Sequence, residues 1–254
     1  MKDRIDMNSD LGESYGAYTM GQDEEILGVI TSANIACGYH AGDHNVMSRT
    51  VRMAAKENVA LGAHPGLPDL IGFGRRAMQV DPEDVYHMII YQAGALQAFA
   101  EVEGLKLQHI KPHGALYNMA VKDAEVAAAI AAGAAALDSK PILFGLAGSE
   151  LVKEGKKQGL TTANEVFADR TYQPDGTLTP RTSPDAMIHD PNTAAERIIR
   201  MLKESKTEAV DGTDIPVQAD TICVHGDEKE ALDFVNQLRH TLTAEGIRLK
   251  KVGE

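Results

Sequence analysis

The chain has 254 residues, 43% of them hydrophobic, and a formal net charge of −12. That length fills one large domain or two small ones, and α/β barrels use it as a single domain. The acidity argues against nucleic acid, whose phosphates need lysine and arginine to neutralise them, and against an anionic membrane surface.

Short apolar runs ending in polar clusters then alternate with helical patterns. The first run, RIDMNSD (4–10), sets Asp6, Asn8 and Asp10 on one face of a strand, with Glu13 just beyond. SANIACGYH (32–40) does the same with Asn34, Gly38 and His40, and leads into Asp43 and His44. VALGAHP (59–65) delivers His64. A long connection, GLPDLIGFGRR (66–76), follows and presents Arg75 and Arg76, whose guanidinium groups suit carboxylate or phosphate. Asp81 before Pro82 reads as the cap and first residue of a helix that stops at Gly104. HIKPHG (109–114) puts His109, Lys111 and His113 on one strand face. PILFGLAG (141–148) is plain, and TTANEVFAD (161–169) brings Glu165 and Asp169. Arg170 opens a second long connection, RTYQPDGTLTPRTSPD (170–185), and Asp190-Pro191 starts a helix over 191–203. DTICVHGD (220–227) adds His225 and Asp227 before a C-terminal helical stretch over 228–254.

Strand–helix alternation predicts parallel strands joined by right-handed crossovers. Polar rows such as 6/8/10 and 109/111/113 are awkward for a central strand of an open sheet, which is covered by apolar helices on both faces. A barrel accommodates them, because its inward face opens toward an active site at the C-terminal rim. The expectation is therefore an α/β fold, a (β/α) barrel of about seven strands in one domain spanning 1–254, with an open doubly wound sheet as the alternative. No apolar signal-peptide core follows the N-terminus, and the longest apolar run (126–137) is too short and Ala-rich to span a bilayer. Cys37 and Cys223 lie far apart and read as reduced core thiols of a cytoplasmic protein.

In a parallel barrel the strand ends converge, so Asp10, Glu13, His40, His64, Lys111, His113, Glu165, Asp169, Arg170 and His225 become one pocket. Two chemistries suit it: imidazoles and a carboxylate holding a divalent ion that acidifies a bound water, or metal-free general acid–base catalysis. The H-x-x-x-H spacing of His40 and His44 is weak support for a metal, because Gly42 opposes a helix there. No P-loop, dinucleotide fingerprint or G-x-S-x-G elbow is present in the sequence.

The blocks NSDLGESYGAY, SANIACGYHAGD, GAHPGLPDLIGFGRR, KPHGALYN, EVFADRTYQPDGTLTPR and HGD together resemble the LamB/YcsF family, in order, from residue 4 to about 227. The resemblance implies a seven-stranded irregular (β/α) barrel of the glycoside hydrolase/deacetylase type. It implies opening of the lactam 5-oxo-L-proline to L-glutamate with ATP as co-substrate, in company with 5-oxoprolinase subunits B and C. On this reading the ten rim residues supply catalysis, and Asn8, Asp43, Arg75, Arg76 and Asp227 hold substrate or phosphate. The family block is matched by Cys37 through Asp43 and leaves His44 outside. By analogy with related deacetylases, Asp10, His40 and His64 would form any metal site. The missing phosphate-binding loop leads us to expect the partners to carry the phosphoryl step. A metal-dependent deacetylase-like hydrolase of an acetylated sugar or amine, and a non-catalytic ligand-binding or scaffold subunit, are the rival readings; assembly into a homo-oligomer is left open.

Overall fold

A computed structural model describes residues 3–224 and 231–254. The chain runs β1 (Arg4–Leu11), α1 (Asp23–Leu27), β2 (Ser32–Ala36), α2 (His44–Lys56), β3 (Ala60–His64) and α3 (Pro82–Val102). It continues through β4 (Leu107–Ile110), α4 (Gly114–Lys122), α5 (Ala124–Ala135), β5 (Ile142–Leu146), α6 (Glu150–Lys157) and β6 (Thr162–Phe167). The last part holds α7 (Pro191–Glu204), a hairpin of β7 (Lys206–Glu208) and β8 (Asp214–Pro216), then β9 (Thr221–Val224), α8 (Ala231–Ala244) and β10 (Arg248–Leu249).

Strands β1 to β6 and β9 pair in parallel in that order, and β9 pairs back onto β1. The ring is closed, so the barrel is the architecture and the open sheet is not. Thr221 of β9 stands opposite Asp6 on one side and Glu165 on the other. Below that seam β10 pairs with the start of β1, Arg4 opposite Arg248 and Ile5 opposite Leu249. The C-terminal stretch is thus a helix followed by a short strand rather than helix alone. The β7–β8 hairpin is likewise additional to the seven expected strands.

Two strands are shorter at their ends than the sequence suggests. β2 stops at Ala36 instead of running to His40, because the chain turns through Gly38 and Gly42, both at positive φ (92° and 77°). β4 stops at Ile110, yet the Lys111 and His113 amides still donate to the carbonyls of Ala63 and Pro65 (3.0 and 2.8 Å), so the segment keeps its place beside β3. The helices follow their signals. Pro82 opens α3, and Gly104 follows its last turn at φ 71°. The Asp190 carboxylate caps α7 by accepting from the Thr193 amide. The Ala-rich α5 packs closely on α3: a Cβ on Gly133 would stand 2.8 Å from Ile89 Cβ. No helix among the described residues is long and apolar enough to cross a membrane.

The barrel axis is polar. Asp6 accepts from the hydroxyls of Thr31, Ser32 and Thr221. Asn8 donates to Thr221 Oγ1 (2.7 Å), and Asn34 donates to Asn8 Oδ1 (2.7 Å) and Asp10 Oδ1 (2.8 Å). His109 bonds Asn34 Oδ1 through Nε2 (2.8 Å) and stacks on Phe144. Burial pushes the Asp6 carboxyl up to about 6 against the pull of its hydroxyl donors, with Glu165 adding to the rise. Folded Asp6 therefore keeps its proton to higher pH than the unfolded chain does, and its contribution to stability is lost as pH rises from about 4 to 6. Over that window Asp6→Asn should gain about 1.4 kcal/mol per pH unit relative to the parent protein. Urea midpoints across the window check this, and a difference that does not vary with pH would contradict it.

Candidate functional site

Each rim side chain is placed by the end of a strand or the first turn after it. His64 is the last residue of β3, and its Nδ1–H donates to the Lys111 carbonyl (2.7 Å). His113 precedes the first residue of α4, and its Nε2–H donates to the Phe73 carbonyl (2.8 Å). Those bonds aim His64 Nε2 and His113 Nδ1 at one another, 2.9 Å apart. His40, carried in by the glycine turn after β2, lies flat on His113, ring centroids 3.6 Å apart and planes within 3°. Both rings stand nearly perpendicular to His64. His40 Nε2 is 3.2 Å from Glu13 Oε1. The stack needs Gly74, at φ 62°: a Cβ there would come 2.6 Å from His40 Cβ and 2.9 Å from the His113 ring. Burial holds His40 neutral well below its ordinary pKa and brings His113 down to about 3, with His113 opposing His40 and His64 opposing His113 by like charge.

Beside the histidines sits Lys111, only 2% exposed. Its Nζ lies 2.9 Å from Asp10 Oδ1 and 2.9 Å from Glu165 Oε1, and also donates to Asn8 Oδ1 and Cys223 Sγ. Burial alone would strip the proton from this amine. Asp10 and Glu165 outweigh it and hold the group charged well above its usual pKa. Glu165 is held in turn by the Tyr117 hydroxyl, which donates to Oε2 (2.7 Å). Asp10 Oδ2 faces His64 Nε2 at 3.2 Å.

These groups form one side of a cavity of about 430 Å³. The other walls come from the first turns of α4 (Tyr117, Asn118), from Phe167 and Arg75, and from the connection after β6, which contributes Arg170, Pro180 and Arg181. Arg170 is 5% exposed and gives one N–H to the Thr179 carbonyl, but makes no ion pair among the described residues. Arg75 lies over the Phe73 ring and likewise has no carboxylate partner among the described residues.

Asp10, Glu13, His64, Lys111, His113, Arg170 and Arg75 therefore line one space, with His40 and Glu165 directly behind them. Asp169 is buried next to Arg170. Three residues expected at the ligand are used elsewhere. Asp43 caps α2, accepting from the amides of Asn45, Val46 and Gly16. Arg76 grips Asp69, and is exposed. Asn8 lies deeper in the axis, below Lys111. His225 and Asp227 lie outside the described residues. The sequence reading missed Tyr117, Asn118 and Arg181, although KPHGALYN and TPR contain them: one helical turn past His113 returns to the same side. Donor atoms of Glu13, His40, His64 and His113 lie within 4.8 Å of one another. That group differs from the expected metal trio, for Asp10 is not in it.

A model of the LamB/YcsF family matches residues 5–254. The chain is 64% identical over 251 residues to the 5-oxoprolinase A subunit of Oceanobacillus iheyensis, covering 99% of this chain and 98% of that protein. It is 55% identical to the Bacillus subtilis protein of the same name, again with 99% and 98% covered. Among solved structures it is similar to the lactam utilization protein of Thermus thermophilus, with a TM-score of 0.91, 45% identity, and 97% and 99% of the two chains covered.

Proposed function

The chain belongs to the LamB/YcsF family, and from that premise we propose that it is the lactam-opening subunit of an ATP-dependent 5-oxoprolinase, converting 5-oxo-L-proline to L-glutamate together with subunits B and C. The observation that carries the reading is Lys111, a charged amine sealed between two carboxylates at the wall of a cavity. The same cavity is lined by Arg170 and Arg75, which have no carboxylate partners among the described residues. A five-membered lactam that carries a carboxylate presents what such a site recognises. Arg170 and Arg75 take the carboxylate, and the Lys111 ammonium faces the lactam carbonyl oxygen, where negative charge develops.

A lactam is a resonance-stabilised amide, and ATP supplies the driving force for opening it. The γ-phosphoryl group passes to the lactam carbonyl oxygen and ADP leaves. One water adds to the ring carbon and the carbon–nitrogen bond breaks, with the nitrogen taking a proton. A second water releases phosphate from the acyl phosphate and leaves glutamate. Asp10, a carboxylate on the cavity wall, is the base placed to take a proton from water. The absence of a phosphate-binding loop from the sequence supports delivery of the phosphoryl group by the partners, and the relatives' name, which designates one component of several, supports an assembly. The reading includes one catalytic domain over residues 1–254, working in the cytoplasm where ATP is supplied.

The test is glutamate release from 5-oxo-L-proline by the purified chain, with and without ATP and with and without both partner subunits. All components should be required, with only trace release by the chain alone. Full turnover by the single chain would overturn the division of labour, and release without ATP would favour the deacetylase-like reading.

A further inference from the structure

The backbone fixes the tautomers of two histidines, and that leaves an electrostatic problem. A carbonyl oxygen only accepts, so His64 must carry its proton on Nδ1, toward Lys111 O, and His113 must carry its proton on Nε2, toward Phe73 O. A neutral imidazole has one N–H. His64 Nε2 and His113 Nδ1 are then two bare lone pairs facing each other at 2.9 Å. Carboxylates add to the negative potential there: Asp10 Oδ2 is 3.2 Å from His64 Nε2, and Glu13 Oε1 is 3.9 Å from His113 Nδ1. A cation belongs between the two rings, and it is either a proton or a metal ion.

Several features select the metal. The donors converge from three different segments, and they do so at the cavity wall, where a further ligand position opens onto the space that receives substrate. The ring geometry then chooses among the four candidates. His40 and His113 are parallel and 3.6 Å apart, so their in-plane lone pairs cannot meet at one ion. His64 and His113 are at 85°, and theirs can. His40 is left to donate from Nε2 to Glu13 Oε1, which is how a group behind a ligand holds it in place.

We propose that Glu13, His64 and His113 form a binding site for one divalent transition-metal ion, with His40 positioning Glu13. Two imidazoles and a carboxylate suit Zn²⁺ and its neighbours rather than Mg²⁺ or Ca²⁺. A bound ion supplies polarisation of a carbonyl oxygen or acidification of a water at the cavity wall.

The full-length protein, stripped with chelator, is titrated with Zn²⁺ by calorimetry and with Co²⁺ by visible absorption, and bound metal is counted by elemental analysis. One ion per chain is expected, with Co²⁺ d–d bands of a nitrogen/oxygen site. Binding should be lost in His64→Gln and in His113→Gln. It should be retained but weakened about 10- to 100-fold in His40→Gln. Asp10→Asn should retain one ion, whereas loss there with retention in His113→Gln would place the ion on the Asp10–His40–His64 trio instead and overturn the assignment. ¹⁵N NMR of the parent protein guards against variants that fail to fold: Zn²⁺ should shift His64 Nε2 and His113 Nδ1. Failure to bind either metal, or a metal-free protein in which one of those nitrogens already carries the proton at neutral pH, would also overturn the site. These measurements read the ion alone, so their failure leaves the lactam reading standing.

Discussion

Lys111→Met is expected to lower ATP-dependent glutamate release by the complete assembly about 1,000-fold, with the far-ultraviolet circular dichroism unchanged. Methionine keeps the length and bulk of the lysine stem, so the wall of the cavity is preserved. What disappears, on the proposed mechanism, is the charge opposite the developing oxyanion. Asp10 and Glu165, each 2.9 Å from the ammonium in the parent protein, are then two carboxylates without their shared counter-ion. Removing one partner of a buried ion pair costs about 3–5 kcal/mol, and the site relieves part of this by taking up a proton. The variant should therefore melt earlier as well as turn over slowly. Adding Glu165→Gln should restore much of the melting temperature and none of the activity, which separates the structural role of the charge from its chemical one. Near-normal turnover in Lys111→Met would remove Lys111 from the site.

Gly62→Ala is expected to destabilise the protein by about 3 kcal/mol or to prevent folding, although only a methyl group is added. Gly62 lies in β3, opposite Asn34 of β2 and His109 of β4. A Cβ there would collide with the His109 ring at Nε2. That ring has nowhere to go. It is stacked on Phe144 at 4.2 Å and tied to Asn34 and to the Gln108 side chain. The double variant Gly62→Ala/His109→Ala should recover part of the loss, because the space is reopened, even though Asn34 gives up a partner. Urea unfolding of the three proteins measures this. A Gly62→Ala protein as stable as its parent would mean that the axis of the barrel is not packed around His109.

The parts of this molecule that follow from short-range rules were legible in the sequence. Alternation put Asp6, Asn8 and Asp10 on one face of β1, and they occupy the barrel axis. The cost of burying an ammonium required carboxylates at Lys111, and Asp10 and Glu165 are there. The ring stack of His40 on His113 was not legible, because it depends on backbone turns at Gly38, Gly42 and Gly74 whose geometry no side-chain pattern encodes. Neither was β10: two residues have no period, and its place comes only from pairing with β1. Asp43 shows two signals competing. It follows the His40 turn like a site residue and also precedes a helix like a cap, and the amides of Asn45 and Val46 claim it.

The closure of the barrel has a consequence for how the protein is made. β1 leaves the ribosome well before its pairing partner β9, which is coded more than 200 residues later; the Asn8–Thr221 bond alone spans 213 positions. Until β9 arrives, Asp6 and Asn8 are solvated along an open edge, and Lys111 lacks Cys223 beside it. β10 fastens over the start of β1 later still. The nascent chain therefore carries a half-built sheet with an unpaired margin until β9 is made, the kind of margin that recruits other chains. Ring closure waits for β9, and truncation anywhere before residue 221 leaves an edge rather than a smaller domain.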